Sequence, residues 1–268
     1  MKLVEMYEAD ELEANNFDAD GNIKIGYVGA FPYAEVISGY TSFFLGAQSI
    51  VEEETDISIS MEVTYTSSWF NESLEREGAN NLINRGAALI SQHADSMGAP
   101  SACETAGVPN VSYNGSTEAA CPNTFIVSSY VNWEPYFEYM IDCVMNGEEI
   151  VADWTGTLAT GSVALADIGG AAAKGTAEKI EEVKAELEAG TLHVFDCSKF
   201  TVTKTENKNV NVTVDENGHL TSYMADVNDD GKYVADTQVV ENGVFMESKH
   251  RSAPYFDLII DGITTLNN

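Results

Sequence analysis

Short apolar runs alternate with longer stretches in which apolar residues recur every three or four positions, and this alternation sets the reading of the chain. Residues 23–28 (IKIGYV) form an apolar run entered through the turn Asp18-Ala-Asp-Gly, and predict a strand. After Pro32, the positions Val36, Ile37, Tyr40, Phe43, Phe44 and Ala47 give a helix with a wide buried face. The unit then repeats: strand 59–65, helix 72–85 stopped by Gly86, strand 87–91, helix 98–106, and strand 110–113. A fifth strand at 124–129 leads into an amphipathic helix at 135–145. Strands alternating with amphipathic helices predict right-handed crossovers and a parallel sheet, so the fold class is α/β. An acidic helix over 1–16 precedes the first strand.

From Trp154 the pattern changes. A strand at 162–166, a surface helix at 177–188 stopped by Gly190, and a strand at 192–195 read as crossover elements. Residues 200–247 are short polar strands broken by Glu-Asn-Gly at 216–218 and 241–243 and by Asn-Asp-Asp-Gly at 228–231, a hairpin signal. Residues 255–263 form an apolar strand or anchor. Four regions follow: 1–22 (helix and connector), 23–153 (the α/β unit), 154–199 (crossover or hinge elements) and 200–268 (hairpins and a final strand).

Charge narrows the partners. The formal charge of -30, from 43 acidic and 13 basic residues, repels nucleic acid phosphates and anionic lipid headgroups, which excludes nucleic acid binding. No apolar run approaches the ~20 residues that span a bilayer, and residues 1–16 lack the basic and apolar regions of a secretory signal. The four cysteines show no CxxC spacing and leave the redox compartment open.

Candidate chemistry falls where strands stop. In an open parallel sheet the carboxyl ends share one edge, so Trp69, Asn71, Gln92, His93 and Asp95 are expected to converge there, with Phe31 as a cleft wall and Tyr113, Asn114 and Asn132 following later strands. A flat indole beside several donors and acceptors suits a planar, hydrogen-bonding small molecule. Each residue has a plainer reading. Asn71 is placed to cap the helix at 72–85, and Asp95 or Ser96 to cap the helix at 98–106. Glu35 suits a first helical turn by the macrodipole alone. Phe70 reads as core. Strand alternation sends Gln92 and Ala94 one way and His93 and Asp95 the other. The stretch 226–237 places oxygen side chains as a calcium loop does, but carries Thr237 where the bidentate Glu belongs, and reads as a hairpin. His93 with Asp95 could serve an α/β enzyme acting on nucleosides, yet no nucleophile stands in a GxSxG-like elbow, so the chain is read as a non-enzyme without cofactor or metal. A small-molecule-sensing domain of a signalling protein is the remaining alternative.

Several long motifs in one order carry a resemblance: IGYVGAFPYAEVISGYTSFFLGAQS, SSWFNESLEREGANNLINRGAALISQHADS, VPNVSYNGS, the NW and PYF of VNWEPYF, and AGTLHVF. From about Ile23 onward the chain resembles the basic membrane protein family, the purine- and nucleoside-binding lipoproteins of ABC importers. The resemblance implies a type I periplasmic-binding-protein fold with ligand held between two lobes, an extracytoplasmic, membrane-tethered full-length parent, and an ABC permease as partner. It places the family's base-stacking aromatic at Trp69. Asn114 and Asn132 stand where nucleoside-binding relatives have an Asp and a Lys for the ribose hydroxyls, which tilts the expected ligand from a nucleoside toward a free purine base. Family members also carry a signal and most of a first lobe before the strand at 23–28. The expectation is therefore an amino-terminally truncated member, with one complete lobe at 23–153, residues 200–268 returning to an incomplete first lobe, and weak self-association.

Overall fold

The computed structural model describes residues 1–203, 212–228 and 230–266. A short helix α1 (Lys2–Glu8) leads to β1 (Ile23–Gly29), α2 (Ala34–Glu54), β2 (Ile59–Tyr65), α3 (Glu72–Asn84), β3 (Ile90–Gln92), α4 (Gly98–Ala106), β4 (Asn110–Tyr113), β5 (Phe125–Val131) and α5 (Glu134–Asn146). Then come β6 (Val163–Leu165), α6 (Thr176–Ala189), β7 (Val212–Val214), β8 (Leu220–Ala225), β9 (Thr237–Gln238), β10 (Val240–Glu241), β11 (Val244–Phe245) and β12 (Ile263–Thr265). The main sheet has the order β12-β2-β1-β3-β4-β5-β6. Every pairing in it is parallel except β5 with β6. The direction of winding reverses between β1 and β3, which opens a crevice at their carboxyl ends.

Both faces of the sheet are covered, as continuous apolar strands such as β1 require. On one face α2 buries Val36, Ile37, Tyr40, Phe44 and Val51 against β1 and β2, joined by Leu3 and Val4 of α1. On the other, α3 and α4 supply Ala79, Leu82, Ala99, Ala102 and Cys103 around Val28 and Ile90. α3 and α4 meet at Gly98, where an added Cβ would lie 2.3 Å from the Glu72 carbonyl oxygen, so only glycine allows this approach.

Several sequence expectations are corrected. The acidic helix ends at Glu8 rather than 16, because Asp10 takes a left-handed conformation (φ 57) and the Asn16 side chain accepts from the Glu13 N–H and donates to the Gly86 carbonyl. Residues 192–195 form no strand. Phe195 is buried face to face on Phe256 (4.6 Å), and only Asp196 bridges to Val244. In the apolar stretch predicted over 255–263, β12 starts at Ile263. Tyr255, Phe256, Leu258 and Ile260 are buried by the α2-side core, and Ile263 pairs in parallel with Met61 of β2. Of the described strands in 200–268, β12 joins the main sheet beside β2, while β7-β8-β9 and β10-β11 form two small sheets of their own. Of the expected hairpins, β7–β8 and β10–β11 are antiparallel pairs, the second turning on Asn242 (φ 52) and Gly243 (φ 80). The rest of that reading falls partly on residues 204–211, and the calcium-loop-like stretch includes Asp229; these positions lie outside the described residues.

Candidate ligand-binding site

Four successive strands end in rings that touch. Past β1, Phe31 stacks on Tyr33 (5.0 Å, 11°) and lies 5.3 Å from Trp69, which follows β2. Trp69 lies 6.1 Å from His93 beyond β3, and His93 stacks on Tyr113 at the end of β4 (4.1 Å, 23°). The result is a continuous aromatic ribbon along the carboxyl edge across the β1–β3 reversal. Its outer members are open to solvent, with Trp69 37% and Tyr33 52% exposed.

Local chain chemistry holds the ribbon. Ser67 takes a left-handed conformation (φ 55), and the Thr66 hydroxyl donates to the Ser68 carbonyl (2.8 Å), turning the chain out of β2. Asn71 caps α3 as expected, its side-chain oxygen accepting from the Leu74 N–H (3.1 Å). The Asp95 N–H donates to the Trp69 carbonyl (2.8 Å), tying the turn after β3 to the turn after β2. At the start of α4 the N-cap residue is Met97, which supplies no side-chain cap, and the Ser96 hydroxyl before it accepts from the Gly98 N–H (3.1 Å). Asp95 is left exposed at the edge.

His93 is the buried centre of the ribbon. It packs beside Gly39 of α2, and its Nε2 lies 4.0 Å from a Glu35 carboxylate oxygen. Burial pushes its pKa below the usual imidazole value, and the Glu35 carboxylate opposes that shift without reversing it, so the ring is neutral at pH 7. Its Nδ1 has no hydrogen-bond partner among the described residues. The Tyr113 phenol is likewise shifted upward by burial.

Not every expected residue joins the ribbon. Gln92 is buried and turned to the opposite face, where its amide donates to the carbonyls of Ala94 (2.9 Å) and Ser96 (3.3 Å); its Oε1 has no partner among the described residues. Asn132 is engaged locally, donating to the Gly161 carbonyl (3.1 Å) and accepting from the Glu134 N–H (3.2 Å). Asn114 is exposed in a left-handed turn (φ 65). Phe70, read as core, is 69% exposed, because it sits in the turn that carries Trp69 to the edge. Tyr33 extends the ribbon through its stack on Phe31, and Glu75 carries no signal in the sequence that points to the site. A carboxylate in an acidic first turn looks like an ordinary macrodipole residue, and only its complete burial sets Glu75 apart.

The edge is acidic. Glu35 and Asp95 stand beside the ribbon, while no Lys or Arg occurs between Arg85 and Lys174, the span that carries β3, β4 and β5. No cluster able to hold a metal ion exists among the described residues. A groove of about 850 Å³ runs along the outer side of α3, lined by Thr64, Glu72, Leu74 and Asn80. It does not include the ribbon.

An open, doubly wound parallel sheet with aromatic and polar side chains along its carboxyl edge is the fold of the type I periplasmic-binding-protein class. The profile of the ABC transporter substrate-binding protein PnrA-like family matches residues 21–189, and the chain belongs to that family. It is 32% identical over 136 residues to a Haloferax volcanii protein named for glucose binding in an ABC transporter, covering 50% of this chain and 34% of that protein. It is 30% identical over 122 residues to a purine-binding protein of Brucella abortus, covering 46% of this chain and 33% of that one. The match thus spans about a third of the length of either relative. An ABC transporter solute-binding protein of Aeropyrum pernix K1 shares the fold, with a TM-score of 0.55 at 16% identity over 69% of this chain and 59% of that chain. The family consists of extracytoplasmic solute-binding proteins rather than enzymes. No helix among the described residues is long and apolar enough to cross a membrane.

Proposed function

We propose that this chain captures a purine base or nucleoside for an ABC importer and hands it to a membrane permease, without chemical change. The observation that carries this reading is the aromatic ribbon Phe31–Trp69–His93–Tyr113, which presents a partly exposed indole beside a chain of packed rings at the edge where α/β sheets hold ligands. A planar heterocycle stacks on such rings for roughly 1–3 kcal/mol each. The carboxylates of Glu35 and Asp95 suit N–H donors on a base and disfavour phosphate, so the ligand is a base or nucleoside rather than a nucleotide. Asn114 and Asn132 supply no charge for a ribose, and the second is already occupied by backbone, which favours a free base. The ribbon forms one wall of a cleft whose opposite wall belongs to a second lobe, with residues 23–153 as the ligand-binding lobe. Lobe closure sequesters the base and presents it to the permease.

Calorimetric titration with adenine, guanine, xanthine, hypoxanthine, adenosine, guanosine, AMP and glucose tests this reading. Binding of a base or nucleoside with AMP excluded supports it. Saturable binding of glucose alone overturns the purine assignment and leaves the transport class.

A further inference from the structure

We infer that Glu75 is a positioning residue that sets the relative placement of the two turns bearing the aromatic ribbon. This inference rests on the ribbon being the ligand site, but its physical content is a property of the unliganded protein. Glu75 lies in the first turns of α3 and is 0% exposed. One carboxylate oxygen accepts from the Asn71 N–H (2.9 Å), at the start of α3 and two residues beyond Trp69. The other accepts from the Ser96 N–H (3.0 Å), in the turn that carries His93 and Asp95 into α4.

A single carboxylate thus closes both turns at once, between the N-termini of two helices whose dipoles favour negative charge there. The Asp95 N–H to Trp69 carbonyl bond (2.8 Å) joins the same two turns on the ribbon side. Gly98 completes the arrangement, since a Cβ there would lie 2.9 Å from the Glu75 Cβ. No cation is needed, because both partners are backbone donors. The specification is strict: a carboxylate offers an acceptor on each oxygen, whereas the Gln amide offers one and aims an N–H donor at the other backbone N–H. Glu75→Gln therefore conserves volume while releasing one turn.

The test uses a parent carrying Trp133→Phe and Trp154→Phe, so that Trp69 is the sole indole. Glu75→Gln is expected to keep helical circular dichroism and cooperative unfolding, while acrylamide quenching of Trp69 rises at least two-fold and its anisotropy falls. Leu82→Ala, which opens a cavity in the same helix, is the control for destabilisation alone and should leave both Trp69 signals at the parent values. Equal Trp69 signals in the two variants would overturn the inference. A second measurement needs no variant: in the natural chain the Asn71 and Ser96 amide protons are expected to exchange slowly, and exchange of either at the rate of an unstructured amide overturns the clamp. Titration with adenine completes the set, with affinity expected to fall at least ten-fold on Glu75→Gln. Failure of the natural chain to bind any purine counts against the proposed ligand alone, because the Trp69 and exchange readouts judge the clamp without one.

Discussion

Trp69 and His93 show how far single residues can be read. An indole immediately after a strand and before a helix cap has no packing duty of its own, and the structure leaves it 37% exposed at the sheet edge. Trp69→Ala is expected to weaken purine binding about 5- to 150-fold, the equivalent of losing ~1–3 kcal/mol of stacking, with the melting temperature nearly unchanged. Calorimetry and thermal unfolding separate the two effects. His93 carries a pH signature of known sign. Because burial lowers its folded pKa below the ordinary 6.5, its contribution to stability is present above 6.5 and is lost as pH falls through the folded value. Denaturant midpoints measured from pH 7 to 5 should fall in the natural chain and fall less in His93→Gln. Gln92 and Asn132 mark the limit of such reading. Their positions at strand ends were visible, but their side chains answer to carbonyls of Ala94, Ser96 and Gly161, the last brought close only by a distant turn.

At the scale of elements, the legible signals are the helix ends whose chemistry is local. Asn71 before Glu72 and the left-handed Gly107 and Gly190 after α4 and α6 are caps that need only their neighbours in sequence. Asn71→Ala is expected to cost about 1 kcal/mol in chemical denaturation. Gly98→Ala should destabilise by ~1–3 kcal/mol, since its methyl group must push the Glu72 carbonyl and α3 away from α4. The run 255–260 carries a strand signal because apolar residues fill it. Its burial comes from side chains packed in the α2-side core and, at Phe256, on Phe195, Phe200 and Phe245. Glu247 binds this region together by accepting from the Phe256 N–H (3.3 Å). Burial raises its carboxyl from the ordinary 4.5 to about 7. Its contribution is therefore fully present below 4.5 and is lost as pH rises through about 7. Glu247→Gln should flatten stability against pH across that window and unfold at higher temperature than the natural chain above pH 7.

For the whole molecule, charge and topology act together. A net charge of -30 on 268 residues repels itself at every pH above the carboxylate range, and added salt screens that repulsion. The melting temperature is expected to rise steadily between 0.05 and 1 M salt, roughly as the Debye length falls from more than 10 Å to 3 Å. A flat response would mean that the acidic residues are already compensated by local partners. The same imbalance denies phosphate a counter-charge at the sheet edge, since the span between Arg85 and Lys174 carries no Lys or Arg. Composition thereby sets the sign of the potential at this edge before any site is drawn.

The sequence by itself determined the alternation of strands and helices, the family, the sign of the net charge and the strand ends at which the candidate residues stand. Periodicity, capping and composition act over a few residues, so one chain of letters contains them. Only the tertiary structure decided which strand-end residues face one another. The β1–β3 reversal brings Phe31, Trp69, His93 and Tyr113 into one ribbon, turns Gln92 to the far face, and seals Glu75 between two helix N-termini. It also lays the C-terminal strand against β2, a pairing of residues some two hundred positions apart. Such contacts depend on how the sheet is wound and how closely Gly98 lets α3 and α4 approach. Those properties belong to the packed molecule, because each needs partners that local sequence does not specify.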